Sequence, residues 1–464
     1  MGNKYVLCPI EISQYKRFGK QHNRQKLYEG EHKMISDKLL GQLNQLVSYY
    51  EKYFPKIVPM ISQCFLNTME TTLKKLDNGN YFVITGDIPA MWLRDSSAQM
   101  KHYLPFTADD EVLQEIMEGV IAQQVRCINI DPYANAFNSD ANGNGFSDDE
   151  TEMNPFVWER KYEVDSLCGP VFLAYEYWKT TGSVKCFSED FFAALEQIYK
   201  TFRLEQHHEN SPYRFYRPNT TPIDTLPKGG TGTPVGYTGM TWSGFRPSDD
   251  SCTYGYLIPS NMMAVSALNY AAEIMDVVYK NKRNSDKYTG LAKEIERGIE
   301  KYGIVEHPLF GKIYAYETDG LGNYNYMDDA NSPSLLSAPY IGFCRRDDEI
   351  YQNTRRFILS DENKYYFSGK YAKGIGSPHT PKNYIWHISL VMQILTSTDE
   401  KEILSCLEVL ANTTANTNYM HESFDVDNPD NFTRPWFAWA NSIFAEMTLY
   451  LQRTGFFEKK HGDR

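Results

Sequence analysis

Apolar positions recur at intervals of three and four residues through most of this chain, the spacing that lines one face of a helix. From Asp109 to Cys127 the pattern is plain. Val112, Ile116, Val120 and Val125 fall about one turn apart with charged residues between them, behind two aspartates that suit a helix start. The same reading predicts helices over 36–54, 58–75, 109–129, 165–180, 188–205, 259–281, 285–302, 348–359, 383–396, 399–414 and 436–453. Alternating strand patterns are few and short, at 81–85 and 311–319. The class is mainly α. Asp95 and Ser96 read as N-caps for one further helix starting near Ser97.

Long polar stretches rich in Gly, Pro and Asn separate the helices. No internal repeat argues for a solenoid, and no Gly/Ser- or Pro-rich linker divides the chain. Paired helices joined by long loops predict an α/α toroid whose loops converge at one end, since long loops in compact domains usually carry function. We therefore expect one domain over 31–460, preceded by an extension over 1–30 that packs on it or leads into it.

Composition narrows the partners. The net charge of −12 over 464 residues disfavours a nucleic-acid backbone. No apolar run is long enough to span a membrane, and the first residues lack a signal pattern, so the expected location is the cytoplasm unless a leader was removed. Aromatic residues make up 14%, including 34 Tyr and 7 Trp, which suits stacking on sugar rings as well as packing between helices. The eight cysteines form no C-x-x-C pair, and the Asn-x-Ser/Thr triplets at Asn219, Asn412 and Asn431 are common by chance.

Four segments concentrate chemistry. Around Trp92, Arg94 and Asp95, a charge-assisted fork stands beside an aromatic face, or else an ion pair ties a loop. In Trp158–Cys168, Glu163 and Asp165 suit a metal, sugar hydroxyls or the acidic start of a helix. Arg246-Pro247-Ser248-Asp249-Asp250 holds two adjacent acids after a proline, either a plain Asx-turn or a place where one acid stays protonated and donates. His421-Glu422 lies between aromatic clusters and offers a general base or an exposed carboxylate. Asp140–Gly145 imitates a calcium loop, but its twelfth position is Thr151 where a bidentate Glu belongs. His207-His208-Glu209 cannot easily converge on one ion, and His421-Glu422 lacks the second His of H-E-x-x-H. No P-loop, dinucleotide fingerprint or G-x-S-x-G elbow is present.

Taken together, GDIPAMWLRDSSAQ, WERKYEVDSLC, TWSGFRPSDD, YGYLIPSNMMA and NYMHESFD resemble glycoside hydrolase family 125, in the family's order and over roughly residues 80–440. The resemblance implies an (α/α)6 toroid and an exo-acting, inverting α-mannosidase, mostly on α-1,6 linkages, with no metal or other cofactor. It implies Asp249 as general acid, Glu422 as general base, and Trp92, Arg94, Asp95, Glu163, Asp165, Arg246 and His421 as sugar-binding candidates. The expected partner is a mannose-containing oligosaccharide; the oligomeric state stays open. An inverting pair leaves room for a water, so the carboxyls should stand about 6.5–9.5 Å apart. The readings that compete are another toroid glycosidase, a polysaccharide lyase and a non-catalytic glycan-binding protein.

Overall fold

A computed structural model of the protein describes residues 34–462. The expected extension over 1–30 lies outside them. Helices dominate the regular structure: α1 (Asp37–Tyr53), α2 (Val58–Cys64), α3 (Leu93–Lys101), α4 (Glu111–Ile130), α5 (Val164–Thr181), α6 (Glu189–Glu205), α7 (Ile258–Val277), α8 (Lys282–Tyr302), α9 (Glu349–Ile358), α10 (His387–Thr396), α11 (Glu400–Asn412), α12 (Ala438–Arg453) and α13 (Phe456–Gly462).

The helices form two concentric rings. Along the inner ring α12 packs on α3, α3 on α5, α5 on α7, and α10 on α12. Between α7 and α10 the wall is completed by buried turns over 328–343, where both Asp328 oxygens accept from the backbone of Leu335 and Leu336. Outside lie α1 with α2, then α4, α6, α8, α9 and α11, giving the (α/α)6 toroid. The sequence separates the rings. In α7 fifteen positions are buried, among them Met262, Ala264, Ala267 and Ile274, as befits an inner helix surrounded by protein. Helix α8 buries only one face, with Tyr288, Leu291, Ile295 and Ile299 one turn apart.

Local chemistry sets the helix ends. The Asp110 side chain accepts from the backbone N–H groups of Val112 and Leu113 and starts α4. Gly182, in the left-handed region at φ 72°, stops α5. Where α3 crosses α5, Gly169 lets the backbones close up: a Cβ there would stand 3.1 Å from the Arg94 Cα. Helix α3 departs from expectation. Its cap is Trp92, so Asp95 and Ser96 lie inside its first turns rather than capping it. The helix expected over 58–75 stops at Cys64, and a π-turn (Thr68–Thr72) and a strand (Leu73–Lys75) follow. That run, Thr68-Met69-Glu70-Thr71-Thr72, is rich in β-branched residues, which favour extended chain.

Short antiparallel strands carry the chain across one end of the ring. β1 (Met91–Trp92), β2 (Ala136–Phe137) and β3 (Val157–Glu159) form a sheet in that order, with Trp92 opposite Ala136 and Ala136 opposite Glu159. β4 (Tyr256–Leu257), β5 (Glu317–Thr318) and β6 (Tyr324–Asn325) form a second sheet with β5 central. β7 (Tyr384–Trp386) pairs with β8 (Ser423–Asp425). β1, β4 and β7 each run directly into an inner helix, so every strand delivers its loop residues to the same end of the ring.

Candidate active site

At that end lies a pocket of about 350 Å³, lined by acids, cations and aromatic rings together. Asp249 and Glu422 both face it, as do Trp92, Arg94 and Asp95.

Asp249 stands at the tip of a tight loop. The Arg246 N–H donates to the Asp250 carbonyl at 2.8 Å, and the Asp249 N–H to the Arg246 carbonyl at 2.9 Å. Closing that turn puts Asp249 at φ 66°, a left-handed conformation that Asp tolerates better than most residues. Three contacts keep the tip in place: Arg94 and Asn331 donate to the Pro247 carbonyl, each at 2.7 Å, and Ser248 donates to Asp329 at 2.9 Å. The Asp249 carboxyl accepts at Oδ1 from Trp92 Nε1 (3.2 Å) and Asn135 Nδ2 (3.0 Å), which leaves Oδ2 the freer oxygen. Lys161 Nζ binds the Asp249 carbonyl at 2.8 Å and the Asp224 carboxylate at 2.5 Å.

Glu422 precedes β8 and is held differently. Its Oε2 accepts from Thr433 Oγ1 at 2.9 Å, and Arg434 Nη1 lies 3.6 Å from its Oε1. Both are partners for negative charge. Arg434 is itself fixed through Nε at 3.1 Å from each Asp87 oxygen. His379 completes the wall, with Nδ1 2.9 Å from Asp250 Oδ1. Burial alone would lower its pKa, but Asp250, Glu422 and Asp249 outweigh that and bring it up to about 10, so the ring is cationic near neutral pH.

The acids divide by environment. Burial pushes Asp95 up, and with Asp249 nearby it reaches about 6 despite Arg94. Burial also raises Glu163, with repulsion from Asp249 and Asp165 added, so it stands well above the ordinary carboxylate range although Arg94 opposes the rise. Asp249 goes the other way. Its own burial is outweighed by the neighbouring cations Lys161, Arg94 and His379, which hold it below the usual carboxylate range.

Four of the sequence candidates stand behind the pocket wall and do not line it. Glu163 and Asp165 grip Arg94 Nη1 from below, at 2.7 and 2.8 Å. Arg246 is turned inward onto Glu317 at 2.6 Å. His421 stacks on Phe432, bonds to the Thr417 hydroxyl, and is lowered by burial to about 4. These side chains shape the residues that do face the pocket. Reading the sequence did not single out Asn135, Asn331, His379, Asp87 or Arg434. Asp87 lies inside the GDIPAMWLRD segment and Arg434 just before Pro435, both within stretches already marked, whereas His379 and Asn331 carry no local signal. Among the described residues, no group of three or more His, Cys, Asp or Glu side chains is arranged to hold a metal ion.

Two carboxyls of unlike surroundings at the loop end of an (α/α)6 ring define a toroid glycoside hydrolase. The chain belongs to the metal-independent alpha-mannosidase family, glycoside hydrolase family 125, whose model matches residues 55–449. It is 42% identical over 421 residues to the meiotically up-regulated gene 157 protein of Schizosaccharomyces pombe, a match covering 84% of this chain and 81% of that one. Among solved structures it is similar to a metal-independent alpha-mannosidase from Streptococcus pneumoniae, in a non-productive complex with alpha-1,6-mannobiose. There the identity is 45% and the TM-score 0.88, covering 90% of this chain and 98% of that one. A glycosidase solved with glucose shares the fold at TM-score 0.52 and 11% identity, over 90% of this chain and 99% of its own. Membership makes this protein a glycosidase acting on α-mannosides, which sets aside the lyase and the non-catalytic readings.

Proposed function

We propose that the protein removes the terminal, non-reducing mannose from α-1,6-linked oligosaccharides with inversion, Asp249 serving as acid and Glu422 as base. One observation carries this: the two carboxyls face a single small pocket from separate loops, one among N–H donors and the other beside a hydroxyl and a guanidinium. The S. pneumoniae relative, solved with alpha-1,6-mannobiose, supports the linkage.

In this reading Asp249 Oδ2 protonates the glycosidic oxygen as its bond to C1 breaks. Glu422 takes a proton from a water that attacks C1 on the opposite face. Arg94, Asp95 and Trp92, which line the pocket, frame the terminal ring. Mannose-bearing N-glycan fragments fit as substrates.

The test is hydrolysis of α-1,6-mannobiose followed by proton NMR. Asp249→Asn and Glu422→Gln should each lower kcat by at least ~10²-fold, within the range for general acid–base groups. The first anomer released should be β-mannose. Release of α-mannose first, or a near-normal rate in either folded variant, overturns the assignment.

A further inference from the structure

The turn before Asp249 is fastened residue by residue. Arg94 and Asn331 hold the Pro247 carbonyl, Ser248 is bonded to Asp329, and the Asp249 N–H closes onto the Arg246 carbonyl. The peptide that leaves Asp249 is held by a different group. Its carbonyl accepts from Lys161 Nζ at 2.8 Å, and among the described residues it has no other donor. With both peptides flanking the Cα fixed, the direction in which the carboxyl projects is fixed too. Three donors reach Asp249 from one sheet. Trp92 of β1 and Asn135, just before β2, bind Oδ1, while Lys161, just after β3, binds the main chain. The Lys161 N–H donates in turn to the Asn135 side chain at 3.1 Å, which joins two of them into one frame.

An ammonium is a costly way to make this contact. Lys161 is only 2% exposed, and a hydrocarbon of similar volume is often as stable in such a place as a buried charge. Burial works against its charge, and Glu159 and Asp224 restore it. Neither acid depends on Lys161 for a counter-ion, because Arg217 lies 2.8 Å from Glu159 and 3.1 Å from Asp224. The charge also opposes the reaction, since a cation beside Asp249 favours the ionised form of a group that must arrive protonated. What a hydrocarbon could not supply is a donor to the Asp249 carbonyl.

We propose that Lys161 is a positioning residue for the acid: its bond to the Asp249 carbonyl fixes the main chain so that Oδ2 stays turned to the glycosidic oxygen. The proposal rests on the assignment of Asp249 made above. Trp92 and Asn135 set the rotation of the carboxyl, and Lys161 sets the Cα from which it projects. Lys161 is steadied by Asp224 at 2.5 Å. Asp224 belongs to a segment that is itself tied down, by the Ser251 N–H on the Ile223 carbonyl at 2.7 Å and by Arg217 on Asp149 at 2.6 Å.

Lys161→Met keeps most of the stem and removes the ammonium, and two substrates read the result. α-1,6-Mannobiose has a leaving group that needs the acid, and α-mannosyl fluoride has one that does not. A misplacement of 1 Å can lower a rate ~10²-fold, so we expect kcat for mannobiose to fall at least ~10-fold, with its KM and the fluoride kcat each within about threefold. Arg94, His379, Asp95 and Glu163 also face Asp249 and are untouched by the substitution. Losing the cation should therefore move the alkaline limb of kcat/KM up by about one pH unit. A change of charge alone would raise the limb without slowing mannobiose. General disorder would slow both substrates alike and, by admitting water, move the limb down. An undiminished kcat on mannobiose, equal losses on the two substrates, or a limb that moves down each overturns the proposal. Should the Met variant not fold, Lys161→Gln, whose amide is one bond shorter, is read on the same pair: selective loss on mannobiose supports the proposal, and equal loss or none refutes it. Asp249→Asn separates the two levels. If it still hydrolyses mannobiose at a near-normal rate, the acid assignment itself fails; if it does not while Lys161→Met behaves as wild type, only the positioning role fails.

Discussion

His379 is the pocket residue whose charge depends most on a neighbour. Asp250 holds it at 2.9 Å, and its pKa is raised to about 10 from an ordinary value near 6.5. A histidine raised in the folded state stabilises fully below its unfolded pKa, and that contribution fades as pH rises through the folded one. The melting temperature should therefore fall progressively between about pH 6.5 and pH 10 and level off above, and Asp250→Asn should flatten that dependence. By NMR the His379 ring should not titrate between pH 6 and 8, and in Asp250→Asn it should; a ring titrating near pH 6.5 in the unaltered protein refutes the assignment. Thr433 gives a second prediction. Among the described residues its hydroxyl is the neutral donor on Glu422, at 2.9 Å. A hydrogen bond to a charged group contributes ~1.5–3 kcal/mol, so Thr433→Val should lower kcat by about 10- to 100-fold with KM little changed. An unchanged kcat would mean that Arg434 alone orients the base. Sequence reading located Asp249, Glu422, Trp92, Arg94 and Asp95 because they sit in dense motifs. It missed His379 and Asn331 because their roles arise only when the chain folds, from Asp250 and from the Pro247 carbonyl far along the sequence.

At the scale of an element, α8 shows how one residue type carries opposite consequences on one helix. Gly290 is exposed and has nothing within 4 Å of the place a Cβ would take, so Gly290→Ala should stabilise by up to ~1 kcal/mol through helix propensity alone. Gly298 is buried, and a Cβ there would lie 2.8 Å from the Thr238 carbonyl and 2.9 Å from Met240 Cγ. Gly298→Ala should lose more than it gains, since overpacking costs ~1–3 kcal/mol. Urea denaturation of both variants checks the pair; two shifts of the same sign would contradict the close approach. Residues 238–240 lead into the Trp242–Asp250 segment, so the second variant should also lower kcat. Amphipathic helices such as α8 were legible from periodicity, and so was α7. Helix α3 was read three to four residues late, because its start is set by pairing of β1 with β2 and not by a polar cap. The two- and three-residue strands were mostly invisible, since a strand that short carries no periodicity. The inner wall over 328–343 gave no helical pattern because it is built from turns held by Asp328.

For the whole molecule, the ring makes stability and binding one property. Side chains lining the pocket come from residues 85 to 437, spanning nearly the full described chain, and the last helices close against the first through α12 on α2 and α3. Tyr50 of α1 donates to the Thr448 carbonyl of α12 at 2.9 Å, and Cys64 of α2 donates to Asn441 of α12 at 3.2 Å. No part of the wall can open without disturbing the pocket. A ligand held there should therefore stabilise the entire ring. In Glu422→Gln, chosen so that the sugar is not consumed, α-1,6-mannobiose at 100 times its Kd should add ~2.7 kcal/mol. Unfolding entropy of ~2.1 cal/mol/K per residue amounts to ~0.9 kcal/mol/K over about 430 ordered residues, so the melting temperature should rise by about 3 °C. The distinguishing feature is the shape of the transition. Calorimetry should show one peak that moves as a unit, as expected of a single domain over 31–460. Two peaks of which only one responds to the sugar would show that part of the ring unfolds independently, and the contacts of α12 with α1 and α2 would then not join the ends of the chain into one cooperative structure.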